Sequence, residues 1–225
     1  MELYADGPTL EEIENLKVDG YTFNPSLYKK LGATDYLDFS KKISNKIKSK
    51  PISIEVIGDS YEECLRQGKI INNISNNIWV KIPISYTDGK PTKELISSLV
   101  NEKVKLNITA IFTIDQIKEI IDVVKESNAI LSIFSGRIYD IGYDAKVKFK
   151  EMSNFIHNNS NCKSLWASCR MTYDYFSAKE ASADIITMSP SLINKMKLFD
   201  KDPNEYSRET VVGFYEDAKK AGFKI

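Results

Sequence analysis

The feature that most constrains the fold is a regular alternation of short apolar runs with longer amphipathic runs along the whole chain. The short runs have the length and composition of β-strands, and each is followed by helical spacing. Eight such units in 225 residues predict a (β/α)8 barrel of the α/β class, with a doubly wound open sheet as the competing architecture. Strands are predicted near 2–6, 19–24, 52–57, 77–82, 104–109, 129–134, 163–168 and 184–188, and helices near 9–16, 34–48, 60–72, 91–101, 114–126, 144–157, 172–181, 190–197 and 204–221.

Two of the predicted helices begin with a capping signal. Thr9 is followed three residues later by Glu12, and Thr113 is followed three residues later by Gln116. A hydroxyl at the N-cap with Glu or Gln at the third helical position is typical of a capping box. No linker, repeat or low-complexity stretch divides the chain. Residues 1–225 are therefore predicted to form a single barrel domain, with an extra C-terminal helix at about 204–221.

Charge and cysteine usage exclude several classes of partner. Lys plus Arg and Asp plus Glu are equal at 31 each, so no net field would steer the protein to nucleic acid or an anionic membrane. Residues 1–6 show no secretory signal, and no apolar run approaches the roughly 20 residues of a membrane span. Cys64, Cys162 and Cys169 lack metal-ligand spacing, which favours free thiols and a cytoplasmic location.

The single histidine, His157, limits the available chemistry. It lies in Ile156-His157-Asn158-Asn159, which is typical of a helix end or a loop. One histidine argues against a histidine-centred metal site and against a Ser-His-Asp triad. Acid–base chemistry in this protein would have to be carried by carboxylates and lysine.

Lys81 is the candidate reactive group. It lies near the end of Asn77-Ile78-Trp79-Val80-Lys81-Ile82-Pro83, an apolar run that predicts a buried strand. Burial removes water from the ammonium and favours the neutral amine, which can attack a carbonyl carbon and form a Schiff base. A snorkelling or salt-bridged lysine is the alternative interpretation.

The alternation of side chains along the strands places polar residues on a common face. Because successive side chains point to opposite sides, the apolar set of each strand would face the helices and the polar set the barrel interior. Polar groups inside a barrel need hydrogen-bond partners, and their position near the strand ends is where such barrels carry active sites. A satisfied polar plug is the alternative. The polar set near these strand ends comprises Asn24, Glu55, Lys81 and Thr109.

Six short motifs in order resemble the transaldolase family, specifically its short branch together with fructose-6-phosphate aldolase. The match extends from residue 2 to about residue 190. Each motif alone is weak, and their common order and spacing carry the resemblance. They are Tyr4-Ala5-Asp6, Thr22-Phe23-Asn24-Pro25-Ser26, Val80-Lys81-Ile82-Pro83, Asn107-Ile108-Thr109, Phe134-Ser135-Gly136-Arg137 followed by Asp140-Ile141-Gly142, and Ala167-Ser168-Cys169-Arg170.

The resemblance implies a β/α barrel with a Schiff-base lysine, Lys81, on strand 4. It implies that Asp6 is the general acid–base and that Glu55 and Thr109 hold a catalytic water. No metal or organic cofactor is implied, because the lysine supplies the electron sink. The remaining expected ligands are Asn24, Thr22, Asn107, Ser132 and Phe134 for the sugar, and Arg137, Ser168 and Arg170 for its phosphate.

Three positions favour a transferase over a lyase within this resemblance. Phe134 stands where the aldolase branch has tyrosine, Glu55 stands where it has glutamine, and Ser132 is also transaldolase-like. The resemblance thus implies transfer of a dihydroxyacetone unit between sugar phosphates. A fructose-6-phosphate-type lyase and a non-catalytic sugar-phosphate-binding relative are the alternatives.

The chain departs from the family pattern around the pocket mouth. Gly7-Pro8 replaces the usual Thr-Ala, Phe23 replaces a threonine that parity turns outward, and Ile133 and Ser135 flank Phe134 in place of proline and valine. These changes leave the donor and acceptor sugars open.

A homo-oligomer is also expected. Short family members form rings of five or ten subunits whose C-terminal helix reaches a neighbour. Residues 206–221 carry enough apolar side chains for such a docking stripe, although packing on the helix's own barrel would use them equally well.

Overall fold

The computed structural model describes residues 1–225 and contains a closed barrel of eight parallel strands. Each strand pairs with the next along the chain, and β1 pairs with β8, which closes the sheet. The (β/α)8 prediction is confirmed, and the open-sheet alternative is wrong. The strands are β1 (Glu2–Asp6), β2 (Gly20–Thr22), β3 (Ile52–Glu55), β4 (Ile78–Pro83), β5 (Leu106–Ile111), β6 (Ile130–Ile133), β7 (Lys163–Trp166) and β8 (Ile185–Met188).

Every predicted helix is present, with shifted ends, and two short helices were not predicted. The unpredicted ones, α2 and α7, have six residues each and follow strands β2 and β6 directly. Such short segments lack the two full turns needed for an apolar periodicity to appear. The helices are α1 (Glu12–Asn15), α2 (Pro25–Lys30), α3 (Tyr36–Lys46), α4 (Tyr61–Asn72), α5 (Lys93–Asn101), α6 (Ile114–Val124), α7 (Ser135–Asp140), α8 (Ala145–Asn159), α9 (Asp174–Glu180), α10 (Pro190–Lys195) and α11 (Pro203–Ala221).

The predicted capping box forms at α6, whereas the Thr9–Glu12 pair forms its two bonds in the turn that precedes α1, whose N-cap is Glu11. The Thr113 hydroxyl accepts from the backbone N–H of Gln116, and the Gln116 side chain accepts from the Thr113 N–H at 3.1 Å. Thr9 and Glu12 make the same reciprocal pair at 2.8 and 3.1 Å. These bonds satisfy N–H groups that a helix start leaves without partners.

The barrel interior is apolar at the N-terminal ends of the strands. The Tyr4 ring is almost fully buried and lies against Gly20, while its hydroxyl donates to Glu2 at 3.1 Å. Half-buried Trp79 packs against the same cluster. This end of the barrel is a packed plug, as expected for a face that contributes stability. Its other buried members are Ile130, Leu165, Ala167 and Ile185.

The interior becomes polar towards the C-terminal ends of the strands, as the alternation predicts. Buried Asn107 donates to Ser53 at 3.0 Å and accepts from Ser132 at 2.6 Å. Pairing of β3 with β4 places Glu55 beside Lys81, and pairing of β4 with β5 places Lys81 beside Asn107. The opposite strand faces are apolar and buried under the helices, including Ile52, Ile54, Ile78, Val80 and Ile82.

Strand β5 contains an irregularity beside the predicted site. Its pairing with β6 shifts register between Ile108 and Ile111, and Ala110 between them has φ of 61°. A bulge of this kind leaves a residue unpaired and re-aims its neighbours, which here include Thr109. A positive φ in a residue with a Cβ costs energy and concentrates near functional sites.

The chain divides into two compact units, Met1–Ile193 and Asn194–Ile225. The first contains the barrel. The second contains a 3-10 turn at Met196–Leu198 and helix α11, which begins at the Asp202 N-cap and ends at Gly222 with φ of 69°. The single-domain prediction remains a prediction. None of the helices combines the length and the apolar character needed to cross a membrane.

Replacing Gly20 by alanine should destabilise the barrel by about 1–3 kcal/mol, because a Cβ there would lie 2.6 Å from the Tyr4 ring. Urea unfolding measures the change. The double variant Gly20→Ala/Tyr4→Leu, which gives the new methyl room, should lose less than the sum of the two single losses. Strict additivity would show that this contact does not limit the packing.

Candidate active site

The C-terminal ends of the strands surround a cavity of about 190 Å3. Residues from seven strands or the loops that follow them reach its wall. It includes every predicted site residue except Glu55 and Asn107. Its lining comprises Asp6, Thr22, Asn24, Lys81, Thr109, Ser132, Phe134, Arg137, Ala167, Ser168, Arg170 and Thr187.

Lys81 lies at the bottom of this cavity and is 5% exposed. Its Nζ is 3.0 Å from Oε2 of Glu55 and donates to the backbone carbonyl of Phe23 at 3.3 Å. Glu55 is held in turn by Tyr36, whose hydroxyl donates to the Glu55 carbonyl at 2.6 Å. The salt-bridged alternative for Lys81 is therefore the geometry observed, with an amine that still faces the cavity.

Asp6, at the end of β1, is the second carboxylate of the site. Its Oδ1 accepts from the Thr22 hydroxyl at 2.7 Å, and the Thr22 and Thr187 hydroxyls are 2.6 Å apart. Loss of solvent raises the pKa of the Asp6 carboxyl, while the charge of Lys81 and the hydrogen bond from Thr22 act in the opposite direction. A raised pKa suits a group that must both take and return a proton.

Asn107 does not line the cavity, although it was expected to bind the sugar. It is fully buried below the cavity, where both ends of its carboxamide are used by Ser53 and Ser132. Ser132 itself reaches the wall. The polar-plug interpretation therefore describes Asn107, whereas Lys81 and Thr109 open onto the cavity.

Two further polar side chains on the wall retain hydrogen-bonding capacity. Thr109 Oγ1 is buried and has no partner. Asn24 caps helix α2, accepting from the Leu27 N–H at 2.9 Å, and this leaves its amide nitrogen for the cavity. An unpaired buried hydroxyl costs roughly 1–3 kcal/mol, so Thr109 marks a place where water or a ligand group would be bound.

The two arginines on the wall have different partners. Arg170 forms a two-point ion pair with Asp140, with Nε donating to Oδ1 at 3.1 Å and Nη2 contacting Oδ2. This pair lowers the pKa of Asp140. The guanidinium of Arg137 lies over the Phe134 ring at 5.6 Å from its centroid. Both side chains are exposed enough to meet an anion entering from solvent.

The loop that carries Ser168 and Arg170 is fixed by a close backbone approach. Gly136 N donates to the Ala167 carbonyl at 3.3 Å, and a Cβ on Gly136 would lie 1.6 Å from the Ser168 carbonyl oxygen. Ser168 has φ of 66°. Buried Asp174 completes the arrangement, since its Oδ2 accepts from the backbone N–H of Arg170 at 2.6 Å and of Met171 at 3.0 Å.

Sequence reasoning missed Thr187 and Asp174, and it named Asp140 within a motif without indicating its partner. Thr187 could have been predicted from the sequence, because strand parity on β8 places it on the same face as Ile185. Asp140 is one turn after Arg137, but nothing in the sequence indicates that it pairs with Arg170. Asp174 lies in a segment whose loop conformation decides its partners.

Cys169 lies beside the site without lining its cavity. Its Sγ donates to the Thr187 carbonyl at 3.2 Å, and burial raises the pKa of the thiol well above its ordinary value. A thiol held protonated is a poor nucleophile, so Cys169 acts as a packing residue. No group of three or more His, Cys, Asp or Glu side chains is arranged to hold a metal ion.

Comparison with known proteins identifies the family. The family model described as "Transaldolase/Fructose-6-phosphate aldolase" matches residues 3–225. The chain is 29% identical over 230 residues to a protein of Bartonella henselae named "Probable transaldolase" and 31% identical over 231 residues to one of the same name from Brucella ovis, with 100% of both chains covered in each case. The chain belongs to the transaldolase/fructose-6-phosphate aldolase family, and its relatives support an enzyme of aldolase or transaldolase type.

A solved structure extends the likeness at the level of the fold. Deoxyribose phosphate aldolase from Aeropyrum pernix superposes with a TM-score of 0.60 at 11% identity, covering 87% of this chain and 89% of that one. At this identity the likeness concerns the barrel alone.

Replacing Gly136 by alanine should destabilise the protein by about 1–3 kcal/mol or more, since the new methyl meets the Ser168 backbone. The neighbouring Ser135→Ala variant is the matched control. Its buried hydroxyl has no partner, so its removal should be neutral or stabilising. Urea midpoints measure both, and equal midpoints for Gly136→Ala and wild type would contradict the proposed close approach.

Proposed function

We propose that the protein is a transaldolase that transfers a dihydroxyacetone unit from a ketose phosphate, fructose 6-phosphate or sedoheptulose 7-phosphate, to an aldose phosphate. The observation that carries this proposal is the placement of a buried amine, Lys81, 3.0 Å from Glu55 in the cavity that Asp6 also lines. Retention of this constellation argues against a purely sugar-phosphate-binding protein, which gains nothing from a buried lysine.

The first step is attack by Lys81 on the C2 carbonyl of the donor. The ammonium must first lose a proton, and the Glu55 carboxylate is the base in contact with it. The neutral amine adds to C2, and loss of water gives a protonated Schiff base. The buried setting supports this step because it keeps competing water from the amine.

Asp6 would then accept the proton of the C4 hydroxyl. As the C3–C4 bond breaks, its electron pair enters the Schiff base and gives a lysine-bound enamine, while the aldose phosphate leaves. The enamine attacks the aldehyde carbon of the acceptor, and Asp6 returns the proton to the new hydroxyl. Hydrolysis of the Schiff base releases the product ketose and restores Lys81.

A water held between Glu55 and Thr109 would serve the proton transfers at the Schiff base. The unpaired Thr109 hydroxyl supports this role, because a bound water would supply its missing partner. Asn24, Thr22 and Ser132 would bind the sugar hydroxyls. Asn107 would act from below by orienting Ser132, to which it is hydrogen-bonded at 2.6 Å.

The phosphate group would be bound by Arg137, Ser168 and Arg170. Guanidinium groups suit phosphate because they present a planar set of donors. Since Asp140 occupies the Nε and Nη2 side of Arg170, the remaining Nη1 edge of that guanidinium would meet the phosphate together with Arg137.

Transfer is favoured over free aldol cleavage by the apolar side chain of Phe134 on the cavity wall. Phe134 packs on Phe112 with centroids 5.9 Å apart and offers no hydroxyl to protonate the enamine. With one proton donor fewer on the wall, the enamine would last longer before it is protonated, which favours its capture by an aldehyde. A fructose-6-phosphate aldolase-type lyase is the second candidate, because the family includes that activity.

The deciding experiment measures release of glyceraldehyde 3-phosphate from fructose 6-phosphate with and without erythrose 4-phosphate. Release that requires the acceptor is the expected result. Release without an acceptor would instead make the protein a lyase, and would show that Phe134 and Glu55 do not decide the branch. No release under either condition would contradict both activities on this donor.

Borohydride added with fructose 6-phosphate should trap a covalent adduct on the peptide that contains Lys81, and Lys81→Met should abolish both the adduct and turnover. Because methionine leaves Glu55 without its cation, Lys81→Met/Glu55→Gln serves as a second variant that removes both charges. Lys105→Met is the matched control, since that exposed lysine donates to the Asn76 carbonyl away from the cavity. An adduct that survives Lys81→Met would refute the assignment.

We also propose that the protein is a homo-oligomer, by resemblance a ring of five or ten subunits. Support comes from α11, on which one side of the helix exposes a stripe of Val211, Phe214 and Tyr215. Phe214→Glu should lower the mass measured by light scattering, whereas Lys220→Glu on the opposite side of α11 should not. A wild-type mass near the chain mass of 25.6 kDa would contradict the proposal.

A further inference from the structure

Three hydroxyl and carboxyl groups on adjacent strands form a continuous hydrogen-bonded row. Thr187 on β8 and Thr22 on β2 flank β1, which carries Asp6. The Thr187 and Thr22 oxygens are 2.6 Å apart, and Thr22 Oγ1 is 2.7 Å from Asp6 Oδ1. Thr22 is 2% exposed and Thr187 is 4% exposed.

The direction of these two bonds follows from counting hydrogens. A threonine hydroxyl has one hydrogen and two lone pairs. When Asp6 is ionised it can only accept, so the hydrogen of Thr22 is committed to Asp6. Thr22 can then only accept from Thr187, whose hydrogen must point at Thr22.

We propose that Thr187 is a positioning residue that acts on Asp6 through Thr22, by holding the Thr22 hydroxyl in the orientation that stabilises the Asp6 carboxylate. The proposal deepens the transaldolase function above and rests on it. A hydroxyl that already accepts a hydrogen bond is a stronger donor, and the effect is larger away from bulk water. The backbone of Thr187 is held as well, because its carbonyl accepts from Cys169 Sγ at 3.2 Å.

Other charged and titratable groups also bear on Asp6. Lys81 favours its ionised form, and Glu55 and the Cys169 thiol, if ionised, would oppose it. Arg137 and Arg170 line the same cavity, with Asp140 bound to Arg170 and Asp174 near Cys169. These charged groups are all still present in the Thr187 variants. A change in the pH dependence of those variants therefore reports on the hydrogen-bonded row of Thr187, Thr22 and Asp6.

Removal of the Thr187 hydroxyl should make the Asp6 carboxylate harder to form. Its pKa would rise, and the acidic limb of kcat/KM against pH would move to higher pH. An indirect partner supplies only part of the effect of a direct hydrogen bond on a charged group, so the expected shift is about several tenths of a pH unit to one unit. At pH values well above the acidic limb, kcat/KM should change much less than at pH values within it.

The test compares wild type, Thr187→Val and Thr187→Ser in the coupled transfer assay from low to neutral pH. Valine keeps the shape and removes the hydroxyl, whereas serine keeps the hydroxyl. An upward shift in Thr187→Val with wild-type behaviour in Thr187→Ser is expected. If valine prevents folding, Thr187→Ala against Thr187→Ser makes the same comparison. An unshifted limb in the variant without the hydroxyl would overturn the proposal.

A double-mutant cycle tests the route through Thr22. Thr22→Val alone should shift the acidic limb upward, and adding Thr187→Val should produce no further shift, because the only path to Asp6 is already broken. Additive shifts would overturn the indirect role. Borohydride trapping on Lys81 is measured in the same preparations. Its absence in wild type would refute the transaldolase function itself, whereas trapping with an unmoved limb would refute only the role of Thr187.

Discussion

The ion pair between Lys81 and Glu55 determines how the upper half of the barrel must be built. Moving two charges from water into a protein interior costs several kcal/mol each, and the cost is recovered only with close geometry and further polar partners. Here the separation is 3.0 Å, and the Phe23 carbonyl gives the ammonium a second acceptor. Replacing either partner by an aliphatic side chain would leave the other charge buried without compensation, so β3 and β4 must both present a charged residue at this height.

This requirement divides the barrel into two parts with different physical tasks. At the N-terminal ends, the Tyr4 ring against Gly20 and the packed cluster around Ile130 fix the strands relative to one another. At the C-terminal ends, those fixed strands hold Asp6, Lys81 and their partners with little freedom. The strands position the groups that would exchange protons. Of the two guanidinium groups, that of Arg137 is carried by α7 and that of Arg170 by the loop after β7. The close approach of Gly136 to Ser168 holds this helix and this loop together.

The sequence was sufficient to predict the strands and which residues face the barrel, because a period of two leaves a clear pattern in β3, β4 and β5. It could not show how far inside the barrel each polar side chain lies. Asn107 and Lys81 share that pattern, yet one is fully buried below the cavity and the other opens onto it. The bulge at Ala110 and the partners of Arg170 depend on contacts between distant segments, which no local pattern encodes.

The two carboxylates of the site differ in environment rather than in chemical type, and this difference separates their tasks. Oε2 of Glu55 lies 3.0 Å from Nζ of Lys81, so this carboxylate has a cation as its partner. Asp6 receives a neutral hydroxyl, and the loss of solvent around it raises its pKa. A carboxylate beside a cation stabilises charge, whereas one with a raised pKa exchanges protons more readily. The loss of solvent at the end of β1 outweighs the opposing effects of the Lys81 charge and the Thr22 hydrogen bond, so the raised pKa of Asp6 comes from its burial and not from its hydroxyl neighbour.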